Sequence, residues 1–374
     1  MKTTDQIFTA EELTRYQRQF PLAEVGFSGQ QKIKAAKVLC VGAGGLGSPA
    51  LLYLAGAGVG TLGIIDNDQV EASNLHRQVI YTTQQINKSK SQAAKDRIKA
   101  LNPNVNITIY NELLNEKNAL DIIRSYDFVL DGTDNFVAKY LINDACVMLR
   151  KPNIYASIYQ FHGQCSVFVA GGPCYRCLHP HFPKGYVPNC SQAGVLGVLP
   201  GLLGTIQATE VLKLILGIGT PLIGKMLTVD TLTMQFNLLN LKQNTSCHMC
   251  QGDIKDKVLK QESYPCDIST KSSSSLSITS RELHSLMKTD KRLQLIDVRS
   301  EQEHNDYNIG GKVIPLNTLV DRLGELDKSQ QIIVYCQTDK RSRDAIKILQ
   351  QHDFATVYYL QGGVISYFLM GCFL

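Results

Sequence analysis

Three groups of residues in this chain have types and spacings suited to chemistry. The first lies between Gly42 and Gln78, where Gly42-Ala-Gly-Gly-Leu-Gly47 follows the apolar run Lys37–Val41 and precedes a helical pattern. Glycines let backbone approach phosphates closely, and a helix N-terminus offers amide donors and positive potential. A second strand ends at Asp66, at the spacing where a carboxylate binds ribose hydroxyls. Asn74 and Arg77 then add a polar donor and a cation, for which a hydride-transferring enzyme has no evident need. Any one of these residues would fit a dinucleotide enzyme or an ordinary surface equally well. Together they point to phosphate chemistry on a nucleotide.

The second group is four thiols in two pairs, Cys174-Tyr-Arg-Cys177 and Cys247-His-Met-Cys250. Two residues between cysteines let both thiolates reach one ion, and two such pairs complete a tetrahedral Zn²⁺ shell with no open position. The alternatives are scattered buried thiols or a redox Cys-x-x-Cys. His179, His181 and His248 lie nearby and read as surface or packing residues, since four sulfurs suffice.

The third group is two single cysteines. Cys190 sits in Val187-Pro-Asn-Cys-Ser-Gln-Ala-Gly194, a loop by composition, where a thiol is exposed and movable; its alternative is a non-essential loop residue. Cys336 follows the strand Gln331–Tyr335 and opens the loop Cys336-Gln-Thr-Asp-Lys-Arg-Ser342 ahead of a helix. Loop amides, the helix N-terminus, Lys340 and Arg341 would lower its thiol pKa and stabilise a persulfide anion.

The elements that must position these groups follow from periodicity. Up to about Leu241 short apolar runs (Thr61–Asp66, Asn106–Tyr110, Phe128–Asp131, Asn153–Ser157) alternate with helical segments such as Lys90–Leu101 and Val137–Arg150. This predicts an α/β fold, a Rossmann-like, mainly parallel sheet with helices on both faces. Residues 1–251 form the expected first domain. A Ser- and charge-rich stretch, 252–277, reads as a flexible linker. Thr279-Ser-Arg-Glu282 is a capping box that opens a second, smaller α/β domain over residues 278–374, with strands at Leu293–Asp297, Gln331–Tyr335 and Thr356–Tyr359. No internal repeat is evident.

Composition narrows the classes further. The chain has 374 residues, 44% apolar and 19% charged, with a net charge of +5. That charge is too dilute for nucleic-acid binding. The N-terminus lacks the apolar core of a secretion signal. Val195–Leu216, the most apolar stretch, is interrupted by Pro200, Glu210 and Lys213 and reads as a core helix, not a membrane span. Eleven cysteines without a secretory context suggest metal or thiol chemistry in a cytoplasmic protein.

Over residues 1–250 the chain resembles the MoeB/ThiF family of adenylyltransferases, relatives of the ubiquitin-activating enzymes. The resemblance rests on Arg15-Tyr-Gln-Arg-Gln19, Gly42–Gly47, Asp66–Gln78, Lys90, Asp131-Gly-Thr-Asp-Asn135 and Ile206–Lys213. It implies ATP bound over Gly42, Gly44, Gly45 and Gly47, with Asp66 on the ribose and Asn74, Arg77 and Lys90 on phosphates. Asp134 would carry Mg²⁺, with Asp131 as the strand-end residue that shapes the loop instead. Arg18 would reach into the partner's site of a homodimer. The implied substrate is a small ubiquitin-like sulfur carrier ending in Gly-Gly, and Cys190 would take it as a thioester or acyl disulfide.

Residues 278–370 resemble the rhodanese domain through Leu295–Arg299, Glu303-His304, Ile309–Pro315, the Cys336 loop and Gln361-Gly-Gly363. Asp339 stands where that family usually has glycine, and its carboxylate would weaken the positive field around Cys336. The segment after Gly363 also departs from the family, with Tyr367–Leu374 replacing the usual terminal aromatic.

The expectation is an adenylyltransferase joined to a sulfurtransferase. The first domain would couple the carrier's terminal glycine to AMP, and Cys336 would deliver persulfide sulfur to leave a thiocarboxylate, with a cysteine desulfurase as donor. The molybdopterin-synthase small subunit is the favoured carrier; thiamine-thiazole and tRNA-thiolation carriers need the same chemistry. The rival readings are an NAD-binding oxidoreductase, a tRNA-modifying relative that adenylates a small molecule, and a non-enzymatic scaffold.

Overall fold

The computed structural model describes residues 7–182, 194–253, 257–262, 276–289, 293–337, 340–364 and 367. The chain divides into two compact units, Met1–Pro265 and Cys266–Leu374. In the first, helices α1 (Ala10–Tyr16) and α2 (Gly26–Ala35) precede the series β1 (Lys37–Val41), α3 (Gly47–Ala57), β2 (Thr61–Ile65), α4 (Lys90–Leu101), β3 (Asn106–Tyr110), α5 (Ala119–Arg124), β4 (Phe128–Asp131), α6 (Phe136–Leu149) and β5 (Asn153–Tyr159). There follow β6 (His162–Phe168), the short α7 (Tyr175–Leu178), the long α8 (Val198–Leu216), β7 (Lys225–Asp230) and β8 (Gln235–Asn240). The eight strands lie in the order β3-β2-β1-β4-β5-β6-β7-β8. The first five are parallel and the last three antiparallel.

Strand residues alternate between two cores, as a sheet covered on both faces requires. Val38, Cys40, Ile64 and Leu130 join one core with Leu51, Leu54, Ile98, Leu199 and Val211, beneath α3, α4 and α8. Leu39, Val41, Ile65 and Val129 join the other with Ile123, Leu141 and Ala145, beneath α5 and α6. Helix α8 is long and apolar enough to cross a membrane by length and composition. Here it packs as the expected core helix. Its Gln207 Nε2 donates to the carbonyls of Asp131 and Ile154, both at 2.8 Å. A Cβ at Gly204 would lie 2.2 Å from Leu46 O, so that glycine lets the helix settle onto the loop between β1 and α3.

The antiparallel extension β6–β8 goes beyond the strands that periodicity predicts, and β5 runs two residues past the expected end. The stretch expected as a tether also differs. Leu259 packs against the core under α5 and α6, and Glu262 accepts a hydrogen bond from Arg176 at 2.8 Å. At its far end Ser277–Ile278 forms β9 of the second sheet.

The second unit adds α9 (Ser280–Thr289), β10 (Gln294–Asp297), α10 (Glu301–Asp306), β11 (Lys312–Val313), β12 (Ile332–Tyr335), α11 (Lys340–Gln351) and β13 (Val357–Leu360). Its five strands run β11-β10-β12-β13-β9, all parallel. The Thr279–Glu282 box forms as expected, Thr279 N donating to Glu282 Oε2 at 2.8 Å and Glu282 N to Thr279 Oγ1 at 3.3 Å. Strands β9 and β11 are two residues each, too short to give a periodic signal.

Candidate active site and metal centre

A cavity of about 560 Å³ opens at the C-terminal ends of β1, β2 and β4, the place where open parallel sheets bind ligands. Its walls include Gly42, Gly44, Gly45, Asp66, Asn74, Arg77, Lys90 and Asp134. Eight of the residues expected to bind nucleotide therefore share one hollow. Gly47 stands just behind it and serves packing: a Cβ there would lie 2.1 Å from Gly42 O. Gly42 turns the chain at φ +88°. Gly44 differs, because an added Cβ would meet only Gln78 Nε2, at 3.6 Å. The space that glycine leaves open belongs to the cavity.

Asp66 is held from both sides. Its Oδ2 accepts from Ala43 N at 2.8 Å and its Oδ1 from Asp68 N at 2.9 Å. Each oxygen keeps a lone pair for a ligand hydroxyl. Burial pushes its pKa up, while Lys90 and the two amides pull it back. Tyr81, buried, donates to Ala43 O at 2.8 Å and ties the glycine loop to the core. Asn74 is 8% exposed and donates to Glu71, while accepting from Arg77 Nη2 at 3.0 Å. Lys90 is buried, with its Nζ 2.8 Å from Asp68, an exposed carboxylate on the same wall. A lysine expected to meet phosphate thus already has one carboxylate partner.

The loop after β4 separates two aspartates. Asp131 is fully buried, accepts from Thr133 N and Oγ1 at 3.0 and 2.6 Å, and pairs with Lys139 at 3.1 Å. It shapes the loop. Asp134 is exposed on the cavity wall and has no hydrogen-bond partner among the described residues. Arg18 is exposed and is not part of this wall. The sequence reading assigns no role to Gln78. It is 4% exposed, lines the cavity, and its Oε1 has no partner among the described residues. Its position inside the motif was the available signal; its orphaned acceptor was not.

The four paired cysteines converge, with all Sγ atoms within 4.8 Å of one another. Individual separations are 3.9 Å (Cys174–Cys177), 3.7 Å (Cys174–Cys247) and 3.4 Å (Cys177–Cys250). Four sulfurs at Zn–S bonding distance around one ion would lie about 3.8 Å apart. Asn244 N at 3.3 Å from Cys177 Sγ and Gln243 Nε2 at 3.6 Å from Cys250 Sγ supply donors of the kind that steady thiolates around an ion. The cluster fits a four-sulfur metal such as zinc. His179 packs against Tyr175 with the rings tilted at 53° and their centroids 4.9 Å apart, and burial lowers its pKa.

In the second unit Cys336 lies at the end of β12, 1% exposed, with its Sγ 3.4 Å from Ser342 Oγ. Arg341 interacts electrostatically with this thiol, as expected, and both of its terminal nitrogens also bind Glu303, at 2.7 and 2.8 Å, so a carboxylate partly offsets the guanidinium field. Cys190, Thr338 and Asp339 lie outside the described residues, as does the side chain of Lys340.

A glycine loop and an acid at the ends of β1 and β2, facing a polar cavity, define a nucleotide-binding α/β enzyme domain. The chain belongs to the ThiF family, whose model matches residues 16–249, and it carries a rhodanese-like domain over residues 279–368. Along 372 residues it is 38% identical to the probable adenylyltransferase/sulfurtransferase MoeZ of Mycobacterium tuberculosis, covering 96% of this chain and 93% of that one. A sulfur carrier protein adenylyltransferase of Thermus thermophilus is 50% identical over 253 residues, 66% of this chain and 93% of the relative. A probable molybdopterin-synthase adenylyltransferase of Porphyra purpurea is 39% identical over 369 residues, covering 96% and 94%. Among solved structures, E. coli MccB with ATP superposes with a TM-score of 0.55 at 24% identity, over 63% of this chain and 74% of that one, and shares the fold.

Proposed function

We propose that the first unit adenylates the C-terminal glycine of a ubiquitin-like sulfur carrier, and that the second donates persulfide sulfur to leave a thiocarboxylate. The observation that carries this reading is one cavity uniting a ribose-type acid, a glycine loop, Arg77, Lys90 and Asp134, in a chain that also carries a rhodanese-like domain. Asp66 would hold the ribose and the glycine-loop amides the phosphates. Arg77 and Lys90 would stabilise charge on the α-phosphate oxygens as the carrier carboxylate attacks and pyrophosphate departs. Bound Mg²⁺ would neutralise further phosphate charge, and Asp134, exposed on the cavity wall, would hold it.

Persulfide sulfur on Cys336 then attacks the acyl carbon and AMP leaves, forming an acyl disulfide. The Cys190 thiolate would attack the Cys336 sulfur of that disulfide, releasing the thiocarboxylate and leaving a Cys190–Cys336 disulfide for reduction. Arg18 would serve the partner's cavity in a homodimer, and a cysteine desulfurase would load Cys336. The molybdopterin-synthase carrier remains the favoured substrate, supported by the name of one relative matched over 96% of this chain.

The test is carrier-dependent ATP–pyrophosphate exchange with each candidate carrier, followed by weighing the carrier for replacement of oxygen by sulfur. Exchange and a mass gain with one carrier are expected. NAD binding without exchange would overturn the reading.

A further inference from the structure

Outside the nucleotide site, a cavity of about 540 Å³ lies between α6, the cysteine cluster and residues 257–262. That segment grips both halves of the cluster. Lys257 Nζ donates to the carbonyl oxygens of His248, at 3.0 Å, and of Gln251, capping the turn that carries Cys247 and Cys250. Five residues on, Glu262 Oε1 accepts from Arg176 Nη2 at 2.8 Å. Arg176 stands between Cys174 and Cys177. It is 6% exposed, binds Asp144 of α6 through Nε and Nη2, and lies over the Tyr140 ring at 4.6 Å. Between the two anchors Leu259 packs on the core and Gln261 N donates to Glu116 Oε2 at 3.3 Å.

We propose that residues 257–262 form a strap across the four-cysteine metal site, and that metal occupancy and strap docking stabilise each other. The inference rests on the metal reading of the cluster. Some seventy residues separate the two cysteine pairs in sequence, and a shared ion fixes their spacing. The strap is short, with one anchor on each pair. If the pairs drift apart on metal loss, Lys257 and Glu262 cannot both keep their partners. Conversely, a docked strap holds the pairs at the separation the ion requires. Linkage makes the effect reciprocal: whatever factor the metal contributes to strap docking, the strap contributes to metal retention.

The test uses the full-length, zinc-loaded chain and Glu262→Gln, which keeps the side-chain shape and removes its charge. Metal content is measured first, then the rate of zinc release to a chromogenic chelator. Trypsin cleavage after Lys257 and Lys260 is read by mass before and after chelation. Zinc release from Glu262→Gln is expected to be about fivefold faster, and chelation of the unaltered chain to raise cleavage at the two lysines by a similar factor, at the lower end of coupled-site effects. ATP–pyrophosphate exchange, unchanged in the variant, shows that the first unit remains folded. Stoichiometric zinc with unchanged release, or cleavage indifferent to chelation, overturns the strap while leaving the metal site intact. A chain that binds no zinc overturns both.

Discussion

At the scale of single residues the nucleotide loop separates two uses of glycine that its motif spells identically. Gly47 exists for packing, since a methyl there would stand 2.1 Å from Gly42 O, inside any tolerable contact. Alanine at a helical position gains about 1 kcal/mol over glycine, but crowding into well-packed backbone costs about 1–3 kcal/mol or more, so strain wins. Gly47→Ala should lower the thermal midpoint. Gly44→Ala should not, because its methyl meets only Gln78 Nε2 at 3.6 Å. It should instead weaken ATP binding about tenfold or more by occupying the space a phosphate needs. Titration calorimetry beside a melting curve separates the two effects. Equal loss of stability in both variants would remove Gly44 from the binding surface. Asp131 and Asp134 show the same division: one carboxylate is consumed in building the loop, and the other is left on the wall.

At the scale of elements, the sequence discloses those with strong local signals. Helix α4 is legible because Ser89 caps it and Pro103 follows, and the observed Lys90–Leu101 matches the expectation. Strands β1, β2 and β4 are legible because burial on both faces makes them continuous apolar runs. Strand β8 is not, because it is exposed at every position and carries Leu238 and Leu239 side by side, without alternation. Nor does periodicity reveal a buried pair such as Asp131–Lys139, which joins β4 to α6 with the help of Ala156 O at 2.7 Å. Lys139→Met would leave a buried carboxylate uncompensated and should cost about 3–5 kcal/mol by chemical denaturation. The double change Asp131→Asn with Lys139→Met should recover most of that loss, since a neutral side-chain amide in place of the carboxylate would still accept from Thr133 N. A double variant as weak as the single one would show that the pair does not set this stability. A second ion pair crosses from α10 to α11. Hydrogen bonds from Arg341 hold the Glu303 pKa down at about 2, against the opposing effect of burial. A depressed carboxylate stabilises the fold above its unfolded pKa, and that contribution is lost as pH falls through the folded value. Stability of the second unit should therefore decline between about pH 4.5 and pH 2, with Asp297, also depressed, adding to the slope. Glu303→Gln should flatten part of that decline, measured as urea midpoint against pH. An unchanged slope would mean the pair is screened by solvent and contributes nothing.

At the scale of the whole molecule, the two units have separate sheets and separate cores. Their chemistry should be separable in the same way. On the proposed function, activation would need the cavity of the first unit, and sulfur delivery one thiol of the second. Cys336→Ser is the sharpest probe, because serine is nearly isosteric and the neighbouring Ser342 Oγ, 3.4 Å from the sulfur, suits a hydroxyl. The variant should melt like the parent and exchange pyrophosphate at the parental rate with the carrier present, while thiocarboxylate on the carrier falls to background. Loss of exchange together with sulfur loading would mean that the second unit also supports adenylation. Full sulfur loading without Cys336 would place the donor thiol elsewhere; Cys190 would be the next to test. A soluble persulfide donor distinguishes a missing carrier of sulfur from a damaged acceptor: if it restores loading to Cys336→Ser, the acyl-adenylate was being made all along and only its nucleophile was absent.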